Sequence, residues 1–248
     1  MDYRPVFLVV GILLSMLAAG MVVPAIVDAV AGNSGWQVFI VSAGVTLFVG
    51  VSMALTSRTT AGRLSVRQAF LMVTLSWVAL TVFASLPFAF SSLDMSFTDA
   101  FFEAMSGITT TGSTVITNLD YAPPGILMWR ALLQWVGGIG IIVMAIAIFP
   151  LLGVGGMQLF RMEAADPSEK VLPRAAQIAG AIGLIYLALT IIWALAYFGA
   201  GMNGFDAVAH SMTTIATGGF STSDASLGHY DSALIDIIAV GGMIIGSL

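Results

Sequence analysis

Cysteine is absent from the 248 residues of this chain, and histidine occurs only twice. The missing thiols exclude disulfide frameworks, thiolate metal sites and cysteine nucleophiles. Charge is also scarce, because charged residues make up 8% of the sequence whereas 58% of the residues are hydrophobic. A soluble domain could not cover its surface with so few charges, and the scattered basic residues form no patch for nucleic acid. The composition is that of an integral membrane protein.

The scarcity of reactive side chains also bears on catalysis. His210 and His229 stand alone, and no cysteine accompanies them. A catalytic site needs a nucleophile with its base, or a metal cluster, and neither pattern is present. We therefore expect a protein that is not an enzyme and has no cofactor.

Ionisable groups are nearly absent from the apolar stretches, although a transporter of charged solutes would normally carry them there. Their scarcity favours coordination of a bare ion by backbone carbonyls.

Long apolar runs dominate what is present. A helix that crosses a bilayer needs about 20 apolar residues. Five charge-free runs reach this length, and a sixth begins near Ala233; the five are 5–27, 36–57, 68–93, 131–160 and 175–205. The first run is too long for the apolar region of a typical secretory signal, so we interpret it as a retained helix. The sequence predicts an all-α integral membrane protein.

Basic residues are missing from every second loop. Residues 28–35, 91–125 and 206–232 contain no Lys or Arg, whereas Arg4 precedes the first run. The remaining loops hold most of the basic residues, namely Arg58, Arg63, Arg67, Arg161, Lys170 and Arg174. Loops rich in Lys and Arg stay in the cytoplasm. This asymmetry predicts a cytoplasmic N-terminus, with residues 91–125 and 206–232 on the outer side.

Two segments of the chain are copies of one pattern. Residues 98–112 read T-D-A-F-F-E-A-M-S-G-I-T-T-T-G, and residues 205–219 read F-D-A-V-A-H-S-M-T-T-I-A-T-G-G. A shift of 107 positions superposes Asp99 on Asp206 and Gly112 on Gly219. We predict a helix over residues 97–108, about 18 Å long at about 1.5 Å per residue, which enters a membrane but cannot cross it. Backbone that is not helical at membrane depth is tolerated where it is buried in protein or lines an aqueous path.

The Thr/Gly stretch at the end of each copy suits coordination of a bare cation. A protein that passes potassium through hydrocarbon must replace its hydration shell, and backbone carbonyls aimed at one axis do this. Glycine reaches the required backbone angles cheaply. Neither stretch contains a charged side chain, which disfavours selection by a ring of charges. The candidate filter residues are Thr109, Thr110, Thr111, Gly112, Ala216, Thr217, Gly218 and Gly219. A broken-helix transporter of another small solute or cation is the alternative.

The predicted organisation follows from the placing of the copies between apolar runs. Two N-terminal helices occupy residues 1–62, and a first helix–pore loop–helix unit occupies 63–153. A cytoplasmic linker follows over residues 154–172. The second unit begins at 173 and breaks off within its last helix at residue 248.

Three stretches of the sequence resemble the Trk/Ktr/HKT superfamily of potassium transporters. They are F-F-E-A-M-S-G-I-T-T-T-G-S-T, S-M-T-T-I-A-T-G-G-F-S-T and Q-W-V-G-G-I-G. The two extra N-terminal helices and a linker that reads Q-L-F-R-M-E…L-P-R are similar to the TrkH branch, the membrane subunits of bacterial Trk potassium uptake systems. The resemblance covers essentially the whole chain. It implies potassium uptake across the bacterial inner membrane through a filter of four strands, to which Gly112 and Gly219 each contribute the glycine.

The chain departs from the family by supplying only two of the four units. We expect it to be the N-terminal half of a longer protein. The alternative is a half-length subunit that dimerises to close a four-fold filter, as two-pore-loop channels do. Whether ion flux is passive or coupled to protons or sodium stays open.

The resemblance also implies partners. They are potassium, membrane lipid, a second copy in a homodimer, and a cytoplasmic nucleotide-binding regulatory subunit of the TrkA type. The linker is the candidate docking segment for that subunit. The alternative interpretation is a solvated loop without a partner.

Five further positions carry alternatives. The family has an arginine at the position of Arg130, where it is expected to support the filter through carbonyl or carboxylate contacts; snorkelling to the membrane interface is the alternative. Gly137, Gly138 and Gly140 favour close helix packing over thinning of a pore-facing helix. For His210, which the repeat aligns with Glu103, packing is favoured over proton coupling.

Overall fold

The computed structural model describes residues 3–58, 65–152 and 171–247. Regular structure within these residues is entirely helical, which confirms the predicted fold class. The α-helices are α1 (Arg4–Gly20), α2 (Val22–Val30), α3 (Trp36–Thr56), α4 (Val66–Ala84), α5 (Leu86–Ala89), α6 (Phe97–Ile108), α7 (Pro124–Leu152), α8 (Val171–Gly199), α9 (Gly204–Ile215) and α10 (Ala233–Gly246). Short 3₁₀ turns lie at Leu119–Tyr121 and Ser226–Tyr230. Arg63, Arg161, Lys170 and linker residues 154–170 lie outside the described residues.

The apolar helices make this a multi-pass membrane protein. Among the described residues, four segments have the length and composition to cross a bilayer: Arg4–Val30, Trp36–Thr56, Val66–Ala89 and Gln177–Gly199. Helix α7 is also long enough, with 29 residues against the roughly 20 that a span requires. No strand accompanies these helices in the described ranges, so every spanning segment satisfies its own backbone hydrogen bonds.

The first two spans pack closely through small residues. A Cβ on Gly11 of α1 would collide with the backbone of Gly50 and Ala54 in α3. A Cβ on Gly50 would lie 2.8 Å from the carbonyl oxygen of Gly11. Small residues at matching positions therefore allow the two backbones to touch.

Helix α7 extends beyond the charge-free run at its start. The run begins at residue 131, whereas the helix starts at Pro124 and contains Arg130 in its second turn. Arg130 is only 1% exposed and is paired with a buried carboxylate, so its charge does not need water.

The pore-helix prediction for the first copy is confirmed, since α6 spans Phe97–Ile108. Ser96 caps this helix by accepting a hydrogen bond from the backbone N–H of Asp99 at 3.2 Å. Asn203 caps α9 in the same way, accepting from the N–H of Asp206 at 2.9 Å. The caps are 107 positions apart, like the rest of the repeat, and each satisfies an otherwise unpaired helix-start donor.

Helix α6 sits against the main apolar core. Ala100 and Ala104 are fully buried there beside Trp129 and Leu133 of α7. The indole of Trp129 donates to the carbonyl oxygen of Ala84 at 3.0 Å, which ties α7 to the end of α4. The core thus holds the pore helix between the two long helices of its own unit.

Candidate functional site

The first turn, residues 109–112, leaves the pore helix α6 with three of its N–H groups bound back to that helix. Thr109 donates to the carbonyl of Met105 at 2.9 Å. Thr110 donates to the carbonyl of Gly107 at 3.0 Å, and Thr111 donates to the carbonyl of Ser106 at 2.9 Å. Thr110 has φ 55° and Gly112 has φ 79°, so alternate residues are left-handed.

The second turn, residues 216–219, repeats this backbone. Thr217 donates to the carbonyl of Thr214 at 3.0 Å, and Gly218 donates to the carbonyl of Thr213 at 2.8 Å. Thr217 has φ 51° and Gly219 has φ 83°. Every one of these features stands 107 positions after its counterpart, so the sequence repeat is a repeat of backbone conformation as well.

The left-handed threonines are costly. A β-branched residue with positive φ is an outlier, and a strained backbone conformation costs about 1–3 kcal/mol. The same strain occurs at Thr110 and Thr217, after helices of the same length. Such strain persists where the fold imposes it and clusters at functional sites.

The strain leaves the carbonyl oxygens of the turns unpaired. In a planar trans peptide the N–H and the preceding C=O point in opposite directions. Because the N–H groups of Thr110 and Thr111 face the pore helix, the carbonyls of Thr109 and Thr110 face away from it. Across the described residues no N–H or O–H donates to any carbonyl of either turn. Each turn therefore presents free backbone oxygens on one side.

The two turns lie side by side. A Cβ on Gly112 would collide with the carbonyl oxygen of Gly218. By contrast, a Cβ on Gly219 would have no neighbour within 4 Å in the described structure. The first turn is thus covered by the second, whereas the corresponding face of the second turn is open.

A pore-helix side chain anchors the strand that leaves each turn. Glu103 accepts hydrogen bonds from the hydroxyl of Thr114 at 2.9 Å and from the N–H of Val115 at 3.0 Å. At the equivalent positions the His210 ring contacts the hydroxyl of Ser221 at 3.0 Å. Its Nδ1 lies 2.9 Å from the carbonyl of Asp206, which only accepts, so Nδ1 donates. Neutral His210 then accepts from Ser221, and its side chain is only 2% exposed.

Arg130 joins the two copies. Its Nε donates to Glu103 at 2.8 Å, and its Nη1 donates to the carbonyl of Ser221 at 2.6 Å. The guanidinium also lies 4.1 Å from the centre of the Phe220 ring, a cation–π contact. With 1% exposure, the side chain does not snorkel. Arg130 contacts the Glu103 carboxylate on the first pore helix and the Ser221 carbonyl just after the second turn. That it supports the filter stays a prediction.

Gln134 is a site residue that the sequence analysis did not single out. It lies one helical turn after Arg130 on α7, and its Oε1 accepts from the N–H of Phe220 at 3.0 Å. A Cβ on Gly218 would collide with the Gln134 side-chain amide. The available signal was its spacing of four from Arg130, which places both on one face of a helix.

The α7 glycines differ in role. A Cβ on Gly137 would collide with the carbonyl of Ile108, at the end of the pore helix. A Cβ on Gly138 would lie 2.7 Å from the Tyr186 hydroxyl and 3.3 Å from the Cβ of Ala216. Close packing is thus confirmed at these two positions. Gly140 has no described neighbour within 4 Å of its would-be Cβ.

The start of α9 carries an acidic network outside the spans. Thr222 and Tyr230 donate to the two carboxylate oxygens of Asp206, each at 2.7 Å. Asn203 donates to the same carboxylate at 2.6 Å. Burial alone raises the pKa of Asp206, but these hydrogen bonds outweigh it and hold the pKa below its ordinary value. The network fixes the second pore helix to the strand and loop that follow its turn.

Comparisons with known proteins agree with this arrangement. The sequence pattern of one family, TrkH, described as a cation transport protein, matches residues 36–248. The Trk system potassium uptake protein TrkH of Halomonas elongata is 45% identical over all of this chain and 52% of its own length. The protein of the same name from Escherichia coli is 45% identical over 99% of this chain and 52% of its own length.

A solved structure shares the fold. It is the crystal structure of the potassium transporter TrkH from Vibrio parahaemolyticus, with a TM-score of 0.89 and 43% sequence identity. The match covers 99% of this chain and 50% of that one. The chain thus spans about half the length of the curated relatives it matches, at 52% of each.

Proposed function

Because the chain belongs to the TrkH family of cation transport proteins, we propose that it supplies two of the pore-lining turns of a potassium uptake protein. The relatives named above are potassium uptake proteins, and the solved structure is of a potassium transporter. The observation that carries the proposal is the pair of adjacent turns with the same strained backbone and free carbonyl oxygens.

The chemistry follows from those oxygens. A potassium ion that enters the pore exchanges water for backbone carbonyls, which bind it without trapping it as a carboxylate would. No charged side chain lies within either turn. Glu103, the nearest acid on the first pore helix, is committed to Arg130, Thr114 and Val115. At these two turns the ion therefore meets carbonyl oxygens and no fixed charge.

Two turns do not enclose an ion, and the open face of the second turn indicates where the next one packs. A cavity of about 260 Å³ lies there, lined by Thr217, Gly218, Gly219 and Phe220 together with Ala239 and Met243 of α10. On the first turn the corresponding face is covered by Gly218. Further turns, from the rest of the complete protein or from a second copy, would close the ring.

Placement in the cell belongs to the same proposal. The distribution of basic residues favours a bacterial inner membrane with the N-terminus in the cytoplasm and the exits of both turns outside. A homodimer, and a cytoplasmic nucleotide-binding regulatory subunit on linker 154–172, complete the proposed assembly.

The test uses the complete protein that carries this sequence, purified and reconstituted in liposomes. Uptake of radioactive rubidium, a potassium substitute, should exceed uptake of radioactive sodium and should be inhibited by added potassium. Empty liposomes are the control. Equal rubidium and sodium uptake, or uptake of neither ion, would refute potassium transport. Sodium-dependent uptake of an unrelated solute would favour the broken-helix transporter instead.

A further inference from the structure

Helix α7 belongs to the first unit, yet it contacts the second turn directly. Arg130 and Gln134 are separated by one helical turn, and both reach across to residues that follow the second turn. Arg130 binds a carbonyl, that of Ser221, whereas Gln134 binds an N–H, that of Phe220. Only the second contact involves the peptide that closes the turn.

The peptide held by Gln134 carries a filter oxygen. The N–H of Phe220 and the C=O of Gly219 belong to the same planar unit and point in opposite directions. When Gln134 Oε1 accepts the N–H at 3.0 Å, the Gly219 carbonyl must point away from α7. Gly219 has φ 83° and no Cβ, so nothing else in its own structure restricts that peptide strongly.

The fit of the Gln134 amide depends on a glycine. A Cβ on Gly218 would collide with its Cδ and Oε1. The Gln134 side chain is fully buried, with 0% exposure. The Nε2 atom has no hydrogen-bond partner among the described residues. The amide is therefore positioned by the hydrogen bond to Oε1 and by its packing against Gly218.

The contact is not repeated in the second unit. Gly137 of α7 and Gly246 of α10 each lie against the carbonyl of the last pore-helix residue, Ile108 and Ile215. Counting back three residues from each glycine gives Gln134 on α7 but Met243 on α10. Methionine offers no comparable acceptor, so within the described residues this contact is made to the second turn only.

We propose that Gln134 is a positioning residue for ion selection, which orients the Gly219 carbonyl by holding the Phe220 N–H. The inference rests on the proposed potassium transport. It predicts that loss of the acceptor changes the ion preference more than it changes the amount of folded protein. A residue that served only to pack α7 would change both together.

The experiment compares Gln134→Met with Gln134→Glu in the complete protein, reconstituted in liposomes. Methionine keeps the length and removes the acceptor, whereas glutamate keeps an acceptor oxygen in place. The ratio of rubidium to sodium uptake should fall about five- to tenfold in Gln134→Met, the factor that corresponds to one lost buried hydrogen bond. It should recover largely in Gln134→Glu at a pH low enough to keep the buried carboxyl neutral, so that the acceptor is restored without an added charge. Gln177→Met, at an exposed position on α8, is the matched control and should leave the ratio unchanged.

A second variant covers poor folding of Gln134→Met. Replacing the Phe220 amide by an ester removes the N–H donor and leaves Gln134 intact, and it should lower the ratio similarly. An unchanged ratio in either properly folded variant overturns the role of Gln134. If the wild-type protein shows no preference for rubidium, the proposed function fails and the role of Gln134 fails with it. A selective wild type beside an equally selective Gln134→Met protein refutes the positioning role alone.

Discussion

Gly112 shows how single residues determine the geometry of the turns. It combines φ 79° with direct contact to the Gly218 carbonyl. A side chain there meets two separate penalties, one from the backbone angle and one from the neighbouring turn. Gly32 has a similar φ of 71° but no neighbour within 4 Å of a would-be Cβ. Substitutions at Gly112 and Gly32 therefore distinguish the effect of the backbone angle from the effect of contact with the second turn.

We expect Gly112→Ser to reduce selectivity for potassium over sodium, because the side chain displaces the Gly218 carbonyl. Competition between rubidium and sodium uptake in the complete protein measures this. Gly32→Ser should cost about 1 kcal/mol of stability and leave selectivity intact. Selective uptake by Gly112→Ser at normal expression would remove Gly112 from the filter.

The Arg130–Glu103 pair is a second case at the residue scale. Both side chains are buried, with exposures of 1% and 0%, and their atoms are 2.8 Å apart. Removal of one partner leaves a buried charge without its counter-ion, which costs about 3–5 kcal/mol.

We therefore expect Arg130→Met to lower the melting temperature of the detergent-solubilised protein strongly. The double variant with Glu103→Gln should be less destabilised than the sum of the single variants, because no charge is then left unpaired. Additive effects in this cycle would mean that the two groups do not interact in solution.

At the scale of helices, a side chain of α2 caps the N-terminus of α7. Helix α7 begins after Pro123 with Pro124, and neither residue has a side chain that can cap it. Asp28 of α2 supplies the acceptor, binding the N–H of Gly125 at 2.6 Å. A Cβ on Gly35 or on Gly125 would collide with this carboxylate, so the contact depends on two glycines. Negative charge at a helix N-terminus is also favoured by the helix dipole.

Asp28→Ala should destabilise the folded protein by about 1–3 kcal/mol, since the buried N–H of Gly125 loses its acceptor. Thermal unfolding in detergent is the measurement. Asp120 is an exposed acid in a loop that is predicted to lie on the same side of the membrane as Asp28. Asp120→Ala is therefore the control and should have little effect. Equal melting temperatures for the two variants would show that Asp28 does not cap α7.

Local signals predicted the helices, whereas contacts between distant segments were not predictable. The bounds of α6 followed from the repeated segment and from the Thr/Gly stretch that ends it. The charge-free run alone does not show that α7 already begins at Pro124, because Arg130 is paired with Glu103, 27 residues earlier. The Gln134–Phe220 and Asp28–Gly125 contacts join residues 86 and 97 positions apart. A single glutamine or aspartate in an apolar run gives no local sign of such a partner.

For the whole molecule, the orientation of the chain decides whether the turns open outward. These 248 residues contain no native cysteine, so a single cysteine introduced here is the only thiol in this part of the protein. An impermeant thiol reagent on intact cells should label Tyr121→Cys, at a side chain that is 90% exposed. It should label Arg58→Cys only after the membrane is opened, since that loop is predicted to be cytoplasmic. The reverse pattern would invert the topology.

The free carbonyls of both turns are proposed to bind the conducted ion. Anomalous scattering from crystals of the complete protein soaked in thallium(I), a potassium substitute, locates the bound ions. We expect anomalous peaks beside the carbonyls of residues 109–112 and 216–219, which potassium abolishes in competition and sodium does not. Thallium bound only elsewhere, or peaks that sodium displaces equally well, would contradict this proposal.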